Sequence, residues 1–542
     1  MGLSSQLDFE LAWDKAKSNL RDTSRIFVNN PYIVDILDRN REEWLDNFTK
    51  KVNNGDYNPD DSRIVNIPKK GWNVRPGNAL RIEDTLMYSA LVLALYDDIR
   101  EEIRWSAKEK RFSRILLEDK TEKGWIKYPS EVWKDWNEHS KSVTGEYEYI
   151  VFTDVASCFE NIELRILRHE LNSVSEKEDV KKLLMNCLRR WSRTGDRGLP
   201  QGFYPSDVLS ELYLNRVDEK LKLRDFTHTR YSDNLRIFCE SKREAKEALK
   251  TLTEIYRKRG LNLQRHKTEL VTAERASQRL KEPNKRIEKL NQGNKAQKRQ
   301  RRIKRKRGGD PYSGSSGKFE PDPQDPYTDG GEKPKNIDTP KITEEKLVKT
   351  FKEEFIKSNE GKFNKHLFRF LTGRLGEYGN NVAKEYCLSR IQEGKTETRQ
   401  ILDSYFKKLN NREKIANELA SFIKRDELIY EFQEFALIRW FWEAKIESDF
   451  VMEVVRMKLD EGQLLPEAKN YAIAYTGEHG TSVDLEDIAN LYGEEHRDVT
   501  RATILCSLKD MEKSRRNTLY RDAKGDHQYC DFATTYAKEI AE

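Results

Sequence analysis

The chain has 542 residues, 36% apolar and 35% charged, enough for two to four domains of about 150 residues and a sizeable core. No run of about 18 uncharged apolar residues occurs, which excludes a membrane-spanning helix, and the charged opening residues predict neither a secretory leader nor a membrane partner. The net charge of +6 is concentrated: residues 295–307 (KAQKRQRRIKRKR) hold nine Lys or Arg and no acid, and without them 99 bases fall to 90, against 93 acids.

In chain order, residues 1–60 are polar with scattered aromatics and predict an N-terminal helical extension. Residues 61–275 alternate strand-like and helix-like patterns. Residues 147–155 are aromatic and β-branched, which predicts a buried strand, and Phe159, Ile162, Ile166 and Leu167 then share one helical face. Asp154 stands where that strand ends, able to cap a turn or to hold a metal ion. Residues 198–221 place a Gly-Leu-Pro-Gln-Gly turn before a helix. Ser206 is its expected N-cap, Asp207 suits the positive helix end, and Leu209, Leu212, Tyr213, Val217 and Leu221 form its buried stripe. Residues 226–240 read as a β-hairpin around Ser232-Asp233-Asn234, a tight-turn sequence.

Residues 276–340 read as a basic and flexible linker or insertion. Its later part, 308–340, holds six of the 15 prolines and six of the 27 glycines. Residues 341–542 contain a single proline, Pro466, and helical periodicity dominates, for example over 431–443 and 450–459. These predict an α-helical C-terminal domain whose apolar faces leave homo-oligomerisation open. The six cysteines are scattered with no CxxC pair, which predicts neither a zinc site nor a disulfide framework and suggests a reducing, cytoplasmic setting.

Singly, each motif has a bland explanation; their order does not. Two strand-borne aspartates 79 residues apart bracket the PQG turn and helix, and GLNLQRHKTEL follows at 260–270. The succession FTDVASCFENI, GLPQG, YSDN and GLNLQRHKTEL resembles the palm motifs of reverse transcriptases, and IPKKGWNVRP at 67–76 is similar to that family's nucleotide-binding finger segment. The resemblance covers roughly residues 60–275. Within the family the chain looks most similar to bacterial enzymes related to group II intron and retron reverse transcriptases, and its helical C-terminal region resembles that of the phage-defence group, the abortive-infection and defence-associated enzymes.

The resemblance implies an α+β fold: right-hand fingers and palm with an antiparallel sheet over 61–275, then a mostly helical domain. It implies an RNA-directed DNA polymerase with two Mg2+ ions, dNTPs as substrates, an RNA template (a noncoding RNA among the candidates) and a DNA product. Asp154, Asp233 and the Val155 carbonyl would hold metal. Lys69 and Arg75 would meet the triphosphate, with Lys70 a further candidate. Phe159 would be the steric gate against ribose, Gln201 would contact nucleotide or template, and Lys267 would sit near the leaving pyrophosphate. Lys298, Arg299, Arg301, Arg302, Lys304 and Arg305 would bind RNA. Two departures stand out. Asn234 replaces the usual second Asp, and Glu211 stands where intron relatives often carry Asn. The alternative readings are a catalytically degenerate nucleic-acid-binding scaffold, or an intron- or retron-type enzyme.

Overall fold

Six strands are described. β1 (Arg63–Pro68) and β2 (Val74–Ala79) pair as a two-stranded sheet. β3 (Tyr149–Thr153), β4 (Thr227–Tyr231), β5 (Asn234–Cys239) and β6 (Glu269–Thr272) form an antiparallel sheet in the order β4-β5-β3-β6. The coordinates are a computed structural model that describes residues 3–22, 25–69, 73–106, 112, 114–122, 124–127, 129–192, 194–280, 290, 342–357 and 363–541. By contacts the chain divides into two units. The first is Met1–Ile26, Phe48–Ile64 and Asn78–Pro340; the second is Phe27–Asn47, Val65–Gly77 and Lys341–Glu542.

In the first unit, alternation along β3 sends Ile150 and Phe152 to one face, where they pack with Phe238 of β5, Val271 of β6, Ala276 and Leu280. Among the helices of this unit are α1 (Phe9–Arg21), α2 (Ile82–Ser106), α3 (Cys158–Asn161), α4 (Leu164–Val174), α5 (Tyr204–Lys222) and α6 (Lys242–Lys258), and α5 and α6 pack on the sheet. The amphipathic α6 packs its apolar face on β3 and β5, and its N-cap Ser241 accepts a bond from the Glu244 amide. The central α5 packs against α2 and is buried without interruption from Tyr204 to Asn215.

Helix α5 begins at Tyr204, two residues before the expected cap. Pro205 fixes φ in the first turn, where its missing N–H costs nothing. Ser206 therefore lies inside the helix, and its hydroxyl donates to the Pro200 carbonyl at 2.6 Å instead of capping. The expected buried stripe is present, but the opposite face is buried as well.

The second unit is helical from Glu344–Phe351 to Gln528–Ala541. The periodic segments become Glu431–Glu443 and Asp449–Glu461; the latter ends at Gly462 in the left-handed conformation (φ 67°), and the next helix, Pro466–His479, starts on its proline. Glu431–Glu443 packs on Pro466–His479, which packs on Asp498–Ser507, which packs on Gln528–Ala541. Early residues join this unit: Arg399 donates to the Phe27 carbonyl at 2.8 Å, and Asn470 to Asn30 at 2.6 Å. The fold is thus α+β, an antiparallel palm-type sheet region followed by a mostly helical C-terminal region. Among the described residues no helix is long and apolar enough to cross a membrane.

Candidate active site

The register of β3 against β5 builds the centre. Thr153, the last residue of β3, lies opposite Leu235 of β5, so Asp154 follows the end of β3 at the edge of the sheet where Asn234 begins β5 and Asp233 precedes it. Asp154 leaves the strand buried, 5% exposed. Its backbone is pinned by the 260–270 segment: Gln264 N–H donates to the Asp154 carbonyl at 2.7 Å, and Ala156 N–H to the Asn262 carbonyl at 2.8 Å. This bridge uses the groups on either side of Val155 and leaves the Val155 carbonyl out of the pairing. Lys267, in the turn Arg265–Lys267 before β6, reaches back so that Nζ donates to Asp154 Oδ2 at 2.6 Å. The lysine side chain is 59% exposed, the aspartate 7%.

Asp233 sits at the tip of the β4–β5 hairpin, as expected. The turn is tighter than its sequence suggested: Tyr231 pairs with Asn234, so Asn234 is already the first residue of β5. Ser232 takes a left-handed φ of 58° to close it. The Asn234 side-chain amide donates to Asp233 Oδ1 at 3.2 Å. Below the tip, burial and then the Asp233 carboxylate push the Cys158 thiol above its ordinary range.

Phe159 lies on α3, which follows Ser157 at a left-handed φ of 46°. Its carbonyl accepts from Leu199 N–H at 2.9 Å, which ties it to the PQG turn. In that turn Gln201 is 5% exposed and its N–H donates to Asn78 Oδ1 at 2.8 Å. Asn19 of α1 braces the other side, donating to the Gly202 carbonyl at 3.0 Å and accepting from Tyr204 N–H at 3.1 Å. Gly202 has φ 103°, a conformation that favours glycine.

One residue near the site carries no motif. Arg114 is buried, and its guanidinium meets four residues around the site. It pairs with Asp207 at 2.8 Å and Glu211 at 3.7 Å, donates to the Ser232 hydroxyl, and stacks over the Phe159 ring at 5.2 Å. Arg25 pairs with Asp207 as well. Arg230 of β4 pairs with Glu211 at 3.0 Å and Asp218 at 2.7 Å, and donates to the Ser232 carbonyl at 2.9 Å. Burial raises the Asp218 carboxyl, but Arg230 and His228 outweigh it and hold it well below the usual carboxylate range. The signal was in the sequence as Asp207, Glu211 and Asp218 on one helix. Buried all round, such a helix needs three counter-cations.

Asp154, Val155, Asp233, Phe159, Gln201 and Lys267 all belong to the first unit. Lys69 and Arg75 fall in segment 65–77, which belongs to the second. There Lys69 N–H donates to the Asn73 carbonyl at 2.7 Å across the hairpin tip, and Arg75 is among the cations that lower the Lys365 pKa. Lys70 and the basic residues Lys298, Arg299, Arg301, Arg302, Lys304 and Arg305 lie outside the described residues.

The donor set suits a hard divalent cation: two carboxylates and a backbone carbonyl, all oxygen, with an ammonium already bonded to Asp154 Oδ2. Among the described residues no group of three or more His, Cys, Asp or Glu is placed to hold a metal ion.

Residues 67–306 match the family described as reverse transcriptase (RNA-dependent DNA polymerase). Among solved structures, the chain is similar to telomerase from Candida albicans in complex with a TWJ fragment of telomeric RNA, with 11% identity and a TM-score of 0.30 over 71% of this chain and 65% of that one. The chain thus spans less than two thirds of that protein's length. No curated protein sequence matches it.

Proposed function

From a chain that carries a reverse transcriptase domain over residues 67–306, we propose an RNA-directed DNA polymerase whose centre is Asp154 and Asp233. The observation that supports this reading is the β3–β5 register, in which the strand that ends before Asp154 pairs with the strand that starts after Asp233, 79 residues later in the chain. Asp154, Asp233 and the Val155 carbonyl would hold two Mg2+ ions. When bound, these would stabilise charge on the attacking and leaving oxygens of an in-line phosphoryl transfer.

The chain's own residues do the positioning. Asp154 is rigid because its backbone is pinned on the 260–270 side and its strand is buried. The Phe159 ring, held by Arg114, closes the space a ribose 2′-hydroxyl needs and so selects dNTPs. Gln201 lies on a braced turn that presents backbone and amide to the nucleotide or template base. Lys267 Nζ donates to Asp154 Oδ2, and its exposed side chain would let the same group turn to the leaving pyrophosphate. Lys69 and Arg75 supply phosphate contacts from the finger hairpin, and the six basic residues between 298 and 305 bind RNA.

We place the enzyme in antiviral defence in the cytoplasm, copying a noncoding RNA or synthesising untemplated DNA. The support is the resemblance, read from the sequence, of the helical C-terminal region to that of the defence-associated enzymes. The test is template dependence. Nucleic acid bound to protein purified from infected and uninfected cells is sequenced, and purified protein is offered dNTPs with an RNA template, a DNA template or neither. DNA made on RNA or without template supports the proposal. DNA made only on DNA templates, or plaque counts unchanged by loss of the gene, opposes it.

A further inference from the structure

The first unit holds a concave site whose lining includes neither Asp154 nor Asp233. A cavity of about 580 Å³ opens between α4, the end of α5 and the end of α6, and its lining includes Arg165, Glu170, Arg216, Lys220, Lys258 and Arg259. That size falls within the range of small-molecule sites, about 300–1,000 Å³. Five of the nine lining residues are Lys or Arg, and the one acid is Glu170.

Glu170 is already committed. It is 4% exposed and accepts from Arg216 Nε at 2.8 Å and Arg259 Nη1 at 2.9 Å. Arg259 is further fixed by the Tyr213 carbonyl at 2.8 Å, and Arg216 by Glu219 at 2.8 Å and Glu102 at 3.0 Å. These pairs make a rigid floor. The rim is different. Among the described residues Lys220 and Lys258 form no ion pair, and Arg165, 89% exposed, has only Glu163 at 3.9 Å. Burial, then Arg259 and Lys258, lower the Lys220 pKa against the opposing pull of Glu170, the direction expected of cations crowded around too little counter-charge. Such crowding costs free energy unless an anion relieves it.

We infer that this cavity binds a polyphosphate chain, such as the triphosphate of a nucleotide, with Lys220, Lys258 and Arg165 as the ligating cations. The lining contains no Phe, Tyr or Trp on which a base could stack, and Ile166 is its one aliphatic residue. The site therefore reads phosphate and not base. A free polyphosphate, a nucleoside triphosphate and a 5′-triphosphorylated RNA end all present that chemistry.

The test is calorimetric titration of the full chain without divalent cations. Tripolyphosphate, ATP, a 5′-triphosphorylated RNA and the same RNA with a 5′-hydroxyl are compared. The Lys220→Ala/Lys258→Ala variant should lose roughly tenfold or more in affinity for tripolyphosphate and ATP alike. Arg165→Ala, at a fully solvated position, should show a smaller loss and guards against a folding defect in the double variant. Parallel loss for the triphosphorylated RNA alone, against its 5′-hydroxyl form, would identify an RNA end as the natural source. Absence of binding in wild type, unchanged affinity in both variants, or a loss confined to the 5′-hydroxyl RNA would overturn the inference.

Discussion

Asn234 donates to Asp233 Oδ1 at 3.2 Å, so the residue that departs from the family pattern orients the carboxylate beside it. Asn234→Asp removes that donor and sets a second negative charge at the hairpin tip. The extra anionic oxygen should lower the Mg2+ concentration for half-maximal DNA synthesis, and Asn234→Ala should be milder than Asp233→Ala. Magnesium titration of primer extension checks both; coincident midpoints would place Asn234 outside the metal environment. Arg114 makes a second case. Arg114→Met leaves Asp207 and Glu211 short of a buried counter-charge, which should cost about 3–5 kcal/mol in chemical denaturation. Arg114→Lys keeps the charge but loses the planar fork on Ser232 and Phe159. It should fold better than Arg114→Met, yet incorporate ribonucleotides more readily than wild type. Unchanged sugar preference in a folded Arg114→Lys protein would remove Arg114 from gate positioning. The motif aspartates were legible because a strand followed by a turn is written in neighbouring residues. Arg114 was not, because its partners Asp207, Glu211 and Ser232 lie about a hundred residues away and only the fold assembles them.

Elements in the second unit make independent predictions. On helix Lys365–Glu377, burial and then Arg369 and Lys365 push the His366 imidazole down to about 4 from its ordinary 6.5. Between those values the unfolded chain binds the proton and the folded chain does not. Stability is therefore full above about pH 6.5 and falls as pH drops towards 4, by up to about 1.4 kcal/mol per pH unit for this group. His366→Gln should flatten that part of a denaturation–pH profile; an identical slope would contradict the assignment. Helices Pro466–His479 and Asp498–Ser507 approach closely at Gly477, where a Cβ would lie 2.5 Å from the Ser507 carbonyl oxygen. Gly477→Ala must push them apart, and should destabilise by about 1–3 kcal/mol in urea unfolding despite its better helix propensity. Helical periodicity made these helices readable, as at Glu431–Glu443. The start of α5 was misread because Ser206 resembles a cap, while Pro205 at the first turn was the stronger signal.

At the scale of the whole molecule, the order of motifs along 61–275 carried the fold class, and β3 through β6 appear in that order. The assignment of 27–47 and 65–77 to the same unit as 341–542 was not legible. It depends on packing between segments hundreds of residues apart, such as Arg399 with Phe27, and no local pattern encodes such a pairing. All six cysteines are buried and none forms a disulfide. The central claim is that Asp154 and Asp233 form a nucleotidyl-transfer centre. Its most direct measurement is single-nucleotide incorporation on a primed RNA template by wild type and by Asp154→Asn, a change that keeps the shape and removes the charge. Wild-type activity with a loss of at least about a thousandfold in the folded variant is expected. A wild type inactive with Mg2+ and its own copurified RNA, or a folded Asp154→Asn protein within about tenfold of wild type, would contradict the claim.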